Sequence, residues 1–177
     1  MSAVHTQPPK QEIEYMPPEI LQSIQTLIYR SCLCLNDEAW KEFLELCDQS
    51  FQYQIVTYTP EIRRHQTLAD RSYKNMKANF DLMPRHNTDH SKLTRQVQVY
   101  TVDYDAAARE ARVVSALTIY KTQLDGTNSY VDGGQTSLYA VGLYKDRVRF
   151  VDEVPKLIER VIELDTRQLD VGTHKPF

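Results

Sequence analysis

Two long runs in the second half of the chain carry apolar side chains on both of their faces. In EARVVSALTIYKTQ, Val113, Leu117 and Ile119 alternate with Val114 and Ala116; in TSLYAVGLYKDRVRF, Leu138 and Ala140 alternate with Tyr139, Val141 and Leu143. Successive side chains of a strand point to opposite faces, so a strand apolar on both needs two covers. Helices of the chain can supply one. The second must be a cavity ligand or another protein surface.

The first half reads as helices. Pro17, Pro18 and Glu19 open a helix, since proline in the first turn loses no needed N–H, and Ile20, Ile24, Leu27, Ile28 and Leu35 keep helical spacing. Asn36-Asp37 breaks it and is expected to cap a second helix in which Trp40, Phe43, Leu44 and Cys47 share a face. FQYQIVTY (51–58) is aromatic and β-branched and stops before Pro60, as a strand does. Thr67 with Asp70 resembles a capping box. It predicts a third helix over 67–83, with Met76, Phe80 and Met83 on its stripe and Pro84 as its end.

From Leu93 the period changes to long β-rich runs joined by short turns at 105–109, 125–128 and 152–155. Helices followed by an antiparallel meander make an α+β fold, three N-terminal helices packed on a mostly antiparallel sheet. Gly142, inside a strand, is the expected bulge or bend that curls it. At 177 residues the chain has the length of one domain. We read 1–16, polar with Pro8 and Pro9, as a flexible or partner-wrapping arm, and 17–177 as the folded unit.

The net charge of −3 and the absence of a Lys/Arg cluster argue against nucleic acid. No apolar run approaches bilayer length and MSAVHTQPPKQEIEY lacks a signal-peptide core, so a cytoplasmic protein without a membrane partner is expected. The three cysteines, Cys32, Cys34 and Cys47, fall in helix-like segments and read as reduced core thiols. No Cys precedes His at the spacing of a Rieske cluster, and no phosphate loop or nucleophile elbow occurs. Asp81, His86, Asp89 and His90 have the residue types of an iron site, but Pro84 and a polar turn separate them, so a connector contacting a neighbour is the better reading. Tyr53, Tyr58, Tyr100 and Tyr120 with Asp103 could line an acid–base pocket, the basis of an alternative reading as a stand-alone cone-fold dehydratase or isomerase. In ERVIELDTRQLDVGTHKPF, Asp165 and Arg167 share a face. At an interface such an arginine fits a partner carboxylate.

The ending LDTRQL (164–169), preceded by LIERVIEL and followed by Pro176-Phe177, resembles that of the small (β) subunits of Rieske non-haem iron ring-hydroxylating oxygenases. SLYAVGLYKDRVRF resembles the family's penultimate long strand, and WKEFLELCDQSFQYQIV its helix-to-first-strand region. Within the family, the chain is similar to small subunits of alkanesulfonate-type monooxygenase hydroxylases.

The resemblance implies a strongly curved sheet wrapped around three helices, a cone like that of nuclear transport factor 2. It implies a structural β subunit in a hetero-hexamer of three α and three β chains. The α subunit carries the Rieske cluster and mononuclear iron, and a reductase and ferredoxin act indirectly. No catalytic, cofactor or metal residue is expected on this chain. The expected interface residues are Asp165, Arg167, Leu169, Arg147, Arg149, His86 and His90.

Overall fold

A computed structural model describes residues 16–86, 91–124, 131, 133–167 and 175–177, with His86 described by its backbone only. Helix α1 (Pro18–Asn36) begins at the proline pair and buries Ile24, Leu27, Ile28, Ser31, Cys32, Cys34 and Leu35. Its break falls at Asn36 and Asp37, but Asp37 does not cap α2 (Trp40–Glu45), whose N-cap is Ala39 without a side-chain bond. The Asp37 N–H instead donates to the Leu33 carbonyl at 2.9 Å, closing α1. The Asn36 side chain accepts from the Arg95 backbone N–H at 2.8 Å. Cys47, expected in a helix, is the first residue of β1 (Cys47–Thr59).

The predicted third helix needs the largest correction. Residues Arg64–Ser72 form β2, antiparallel to β1, and α3 spans Tyr73–His86. Thr67 lies opposite Val56 and Asp70 opposite Gln54, so neither caps a helix. β2 is an edge strand exposed along most of its length, so no apolar alternation announces it, and the free edge of β1 recruits it through backbone bonds. The expected stripe of α3 is correct: Met76, Phe80 and Met83 are buried. Pro84 sits inside the helix rather than ending it; with two helical residues beyond it, the lost backbone bond costs only a frayed last turn.

β3 (Lys92–Asp105), β4 (Glu110–Thr122), β5 (Thr136–Val151) and β6 (Val154–Leu164) complete one six-stranded sheet of order β2-β1-β6-β5-β4-β3. All neighbours are antiparallel except β1 and β6. The turns at 105–109 and 152–155 are where the sequence places them. Asp105 Oδ1 accepts the Ala107 and Ala108 N–H groups at 2.9 Å. Asp152 and Glu153 both take positive φ, 48° and 64°, as a two-residue hairpin turn requires. The turn at 125–128 lies outside the described residues.

Curvature comes from ladder irregularities. Thr101 pairs with Val114 while Val99 pairs with Ser115, which leaves Tyr100 as an extra residue. Tyr139 is extra between Leu138 and Ala140, and Ile158 between Leu157 and Glu159. Gly142 is not the bulge that the sequence suggests. It pairs regularly with Leu117 and Leu164, and a Cβ there would lie 2.2 Å from the Glu163 carbonyl oxygen. Close backbone approach, not bending, demands glycine at this position.

The concave face holds the helices. Trp40 stacks on Phe80 at 4.9 Å, and Phe43 meets Phe51 and Phe80 edge-on at 6.2 Å, joining α2, α3 and β1. At the centre lies an ion pair with no solvent exposure. Arg160 Nε and Nη2 donate to the two Asp146 oxygens at 2.7 and 2.9 Å, and Nη2 also reaches Ser31 Oγ of α1 at 3.0 Å. The Tyr144 ring lies 4.0 Å beneath the guanidinium. Burial lowers the pKa of Arg160, but Asp146 and its hydrogen bonds more than offset that and hold the guanidinium charged.

Three outcomes follow for stability. Gly142→Ala should cost about 3 kcal/mol in urea unfolding, because the strand backbone must move. Asp146→Asn should cost about 4 kcal/mol by leaving a buried guanidinium without its carboxylate, and the apolar double variant Asp146→Leu/Arg160→Met should recover most of the loss. Burial also raises the pKa of Cys32, Cys47 and Tyr144, and pushes Tyr53 up to about 12. The unfolded chain releases these protons near about pH 8.5 for thiols and about pH 10 for phenols. The stabilisation is therefore complete below about pH 8 and is lost as the pH rises toward the native values. In an alkaline titration, tyrosinate absorbance from Tyr53 and Tyr144 should appear only together with loss of the native circular-dichroism signal.

Candidate functional site

The residues proposed for an acid–base pocket do not converge. Tyr53 points into the cone, fully buried, and its hydroxyl accepts the Phe177 N–H at 2.9 Å. Tyr58 and Tyr100 are exposed, and Tyr120 alternates with the buried Ile119 and so lies on the convex face. Asp103 is also on the convex face, in a hollow beside the β3–β4 turn with Asp105, Glu110 and Arg112. General acid–base chemistry needs its groups within hydrogen-bond reach of one substrate, and strand parity puts Tyr53 and Asp103 on opposite sides of the sheet. On the concave side Arg160, Tyr144, Tyr53 and Phe177 are buried.

Of the candidate metal ligands, Asp89, His90 and the His86 side chain lie outside the described residues. Asp81 is exposed on α3, where it lines a surface groove with Trp40, Tyr73, Phe80 and Pro84. Among the described residues, no three His, Cys, Asp or Glu side chains are grouped to hold a metal. Gly134 takes a φ of 87° in a turn whose N–H donates to the Gln123 carbonyl at 2.7 Å, a backbone role.

The buried polar residues that organise the interior, Arg95, Asp146, Arg160 and Lys175, are not singled out by motif reading. A signal for three of them was present. Arg95 shares the parity of Leu93, Val97 and Val99, Asp146 that of Tyr144 and Val148, and Arg160 that of Ile162 and Leu164. A charge at a core position of a strand must be paired inside.

The convex face is different in kind. Val114, Ala116, Val141, Leu143 and Val161 are half-buried there, and among the described residues no helix lies over them. Toward one end a ladder of charges crosses the strands. Glu110 accepts from Arg147 Nη2 at 3.0 Å and from Arg149 Nη2 at 2.7 Å, and Arg147 Nη1 lies 3.8 Å from Glu159. The hydrogen bonds from Arg149 and Arg147 lower the Glu110 pKa. Lys145 pairs with Glu163 on the same face.

The segment after β6 is anchored to Val141, whose carbonyl accepts from the Asp165 and Thr166 N–H groups at 2.9 and 3.3 Å. The Val141 N–H in turn donates to Thr166 Oγ1 at 2.9 Å. Asp165 and Arg167 are both exposed. Arg167 does not pair with Asp165; its Nη1 donates to both oxygens of Glu61 at 2.9 Å, which lowers the Glu61 pKa. Leu169 lies outside the described residues.

Comparison with known proteins gives this geometry its context. No family model matches the chain. Over 155 residues the chain is 39% identical to the methanesulfonate monooxygenase hydroxylase subunit beta of Methylosulfonomonas methylovora, covering 88% of this chain and 86% of that protein. It is 29% identical over 155 residues to the 2-aminobenzenesulfonate 2,3-dioxygenase subunit beta of an Alcaligenes species, covering 88% and 97%. Among solved structures, the β subunit of a putative aromatic-ring-hydroxylating dioxygenase from Novosphingobium aromaticivorans superposes with a TM-score of 0.70 at 15% identity, over 88% of this chain and 95% of that one, and so shares the fold. The 39% identity along 88% of the chain decides its family: the chain belongs to the β subunits of Rieske-type ring-hydroxylating oxygenases.

Proposed function

We propose that the chain is the structural β subunit of the hydroxylase component of an oxygenase acting on an organic sulfonate, and that it holds α subunits in place rather than performing chemistry. The observation that carries this reading is the 39% identity over 88% of the chain to the β subunit of a methanesulfonate monooxygenase hydroxylase. The second relative, the β subunit of a dioxygenase for an aminobenzenesulfonate, supports the sulfonate class across two kinds of oxygenation. The separation of Tyr53 from Asp103 across the sheet supports a scaffolding role.

In this reading three β and three α chains form the hexamer, the α subunit carries the Rieske cluster and mononuclear iron, and reductase and ferredoxin deliver electrons to α. Residues 17–177 act as one folded unit, and 1–16 as an arm that contacts a neighbour. The contact residues in this reading are Arg147 and Arg149 on the convex face, the exposed Asp165 and Arg167, and Leu169, His86 and His90. Arg147 and Arg149 are about half exposed, at 45% and 42% of their side chains. Docking would remove water from the charge ladder, strengthening its existing pairs and fixing orientation. A cytoplasmic location fits the free cysteines Cys32, Cys34 and Cys47, and among the described residues no helix is long and apolar enough to cross a membrane.

Co-expression with the α chain should yield a mixed hexamer by native mass spectrometry with all iron on α; a β chain that stays monomeric beside α overturns the proposal. Arg167→Ala should release β from the complex while leaving the melting temperature of β unchanged, because the Arg167–Glu61 pair is solvent-screened. An unaltered hexamer would assign Arg167 to the free surface.

A further inference from the structure

Lys175, Pro176 and Phe177 sit in the mouth of the cone as a bound ligand would. The Phe177 ring is 4% exposed and lies 5.7 Å from the Tyr139 ring, centroid to centroid. Its N–H donates to Tyr53 Oη at 2.9 Å, and the Pro176 carbonyl accepts from Arg95 Nη2. Lys175 Nζ donates to Glu38 Oε1 at 2.6 Å and to the Ser91 carbonyl at 2.7 Å. The contacts come from β1, β3, β5 and the α1–α2 turn, so the seat is built by the fold and not by the segment itself.

The segment leaves part of that seat unsatisfied. Arg95 is buried, and the acceptors around its guanidinium are neutral: Asn36 Oδ1 at 3.1 Å, the Leu93 carbonyl at 3.4 Å and the Pro176 carbonyl. Among the described residues no carboxylate is within ion-pair distance of it. Among the described residues its Nε, in the same planar group that touches Pro176, has no hydrogen-bond partner, and neither does the buried Tyr144 hydroxyl. Burial lowers the Arg95 pKa. A guanidinium taken out of water favours an anionic acceptor that can use two of its N–H groups. Beside it is a space already shaped to a phenyl ring.

We propose that the cone mouth is a preformed binding site for a small aromatic acid, a carboxylate or sulfonate on a single ring, and that residues 175–177 occupy it as an internal ligand. The site is separate from the convex face used for assembly, so it stands or falls independently of the β-subunit reading. The ring of the acid replaces Phe177, and its acid group takes the place of the Pro176 carbonyl on Arg95, engaging the free Nε.

Removing a buried ring leaves an apolar space that a small aromatic molecule can refill. The full-length Phe177→Ala chain should therefore bind benzoate and benzenesulfonate saturably, with a Kd of about 1 mM or tighter by calorimetry, and its melting temperature should rise with ligand. The unmodified chain should bind at least about tenfold more weakly, because its own segment competes, as should Phe177→Ala toward acetate or benzyl alcohol, each of which lacks one half of the recognition. In Phe177→Ala/Arg95→Met the preference for benzoate over benzyl alcohol should disappear. Phe177→Leu, which keeps more of the apolar volume, is the second variant should alanine prevent folding. Absence of saturable benzoate binding in whichever variant keeps the native circular-dichroism spectrum overturns the proposal, as does equal binding by variant and unmodified chain.

Discussion

The Arg160–Asp146 pair sets the terms for the rest of the molecule. The two residues face each other across β6 and β5, bind each other through two hydrogen bonds, and reach Ser31 on α1. A fully desolvated ion pair repays its dehydration only when its geometry is good and its remaining groups are satisfied. Here the fork of hydrogen bonds, the Tyr144 ring beneath and the α1 hydroxyl supply most of that satisfaction, although Arg160 Nη1 has no hydrogen-bond partner among the described residues. The consequence is positional. α1 must cross the sheet where Ser31 meets Arg160, and its last residue, Asn36, then lies against β3. Asn36 then holds Arg95, and Arg95 holds the 175–177 segment.

That chain of contacts divides the protein into a used interior and an unused exterior. The concave side is lined by aromatic rings and buried charges, whereas the convex side shows, among the described residues, apolar side chains beside a charge ladder and no helix. Family membership fits the observed division. The interior polar groups without partners are the remaining feature that scaffolding alone does not require.

The elements with strong apolar periodicity were legible in the sequence. α1, the stripe of α3, the two doubly apolar strands and the hairpin turns at 105–109 and 152–155 all stand where spacing puts them, and the LDTRQL ending pointed to the family. β2 was not legible, because an exposed edge strand has no buried face to impose a pattern, and Thr67 and Asp70 suit a cap as well as a strand. Gly142 was noticed for the wrong reason: a bulge and a close backbone approach leave the same single-letter signal. The site was less legible than the fold. The tyrosines and Asp103 looked like a pocket only while the parity that separates them was ignored, and the same parity would have marked Arg95, Asp146 and Arg160 as interior charges.

By itself the sequence determined that helices precede a long-stranded sheet, that the sheet needs two covers, and which family the chain resembles. These depend on local periodicity and on short runs of residues, which a linear reading contains. The tertiary structure alone decided that Arg160 pairs with Asp146 and touches Ser31, that Arg167 pairs with Glu61, and that Phe177 returns to Tyr53. Those partners are separated by 129, 106 and 124 positions in the ionic and hydrogen-bonded contacts of Ser31, Glu61 and Tyr53. Charge and hydrogen-bonding capacity state only that a buried group needs a partner. Which partner it finds is settled by the register of the strands and the crossing of α1, properties of the assembled sheet and not of any one segment.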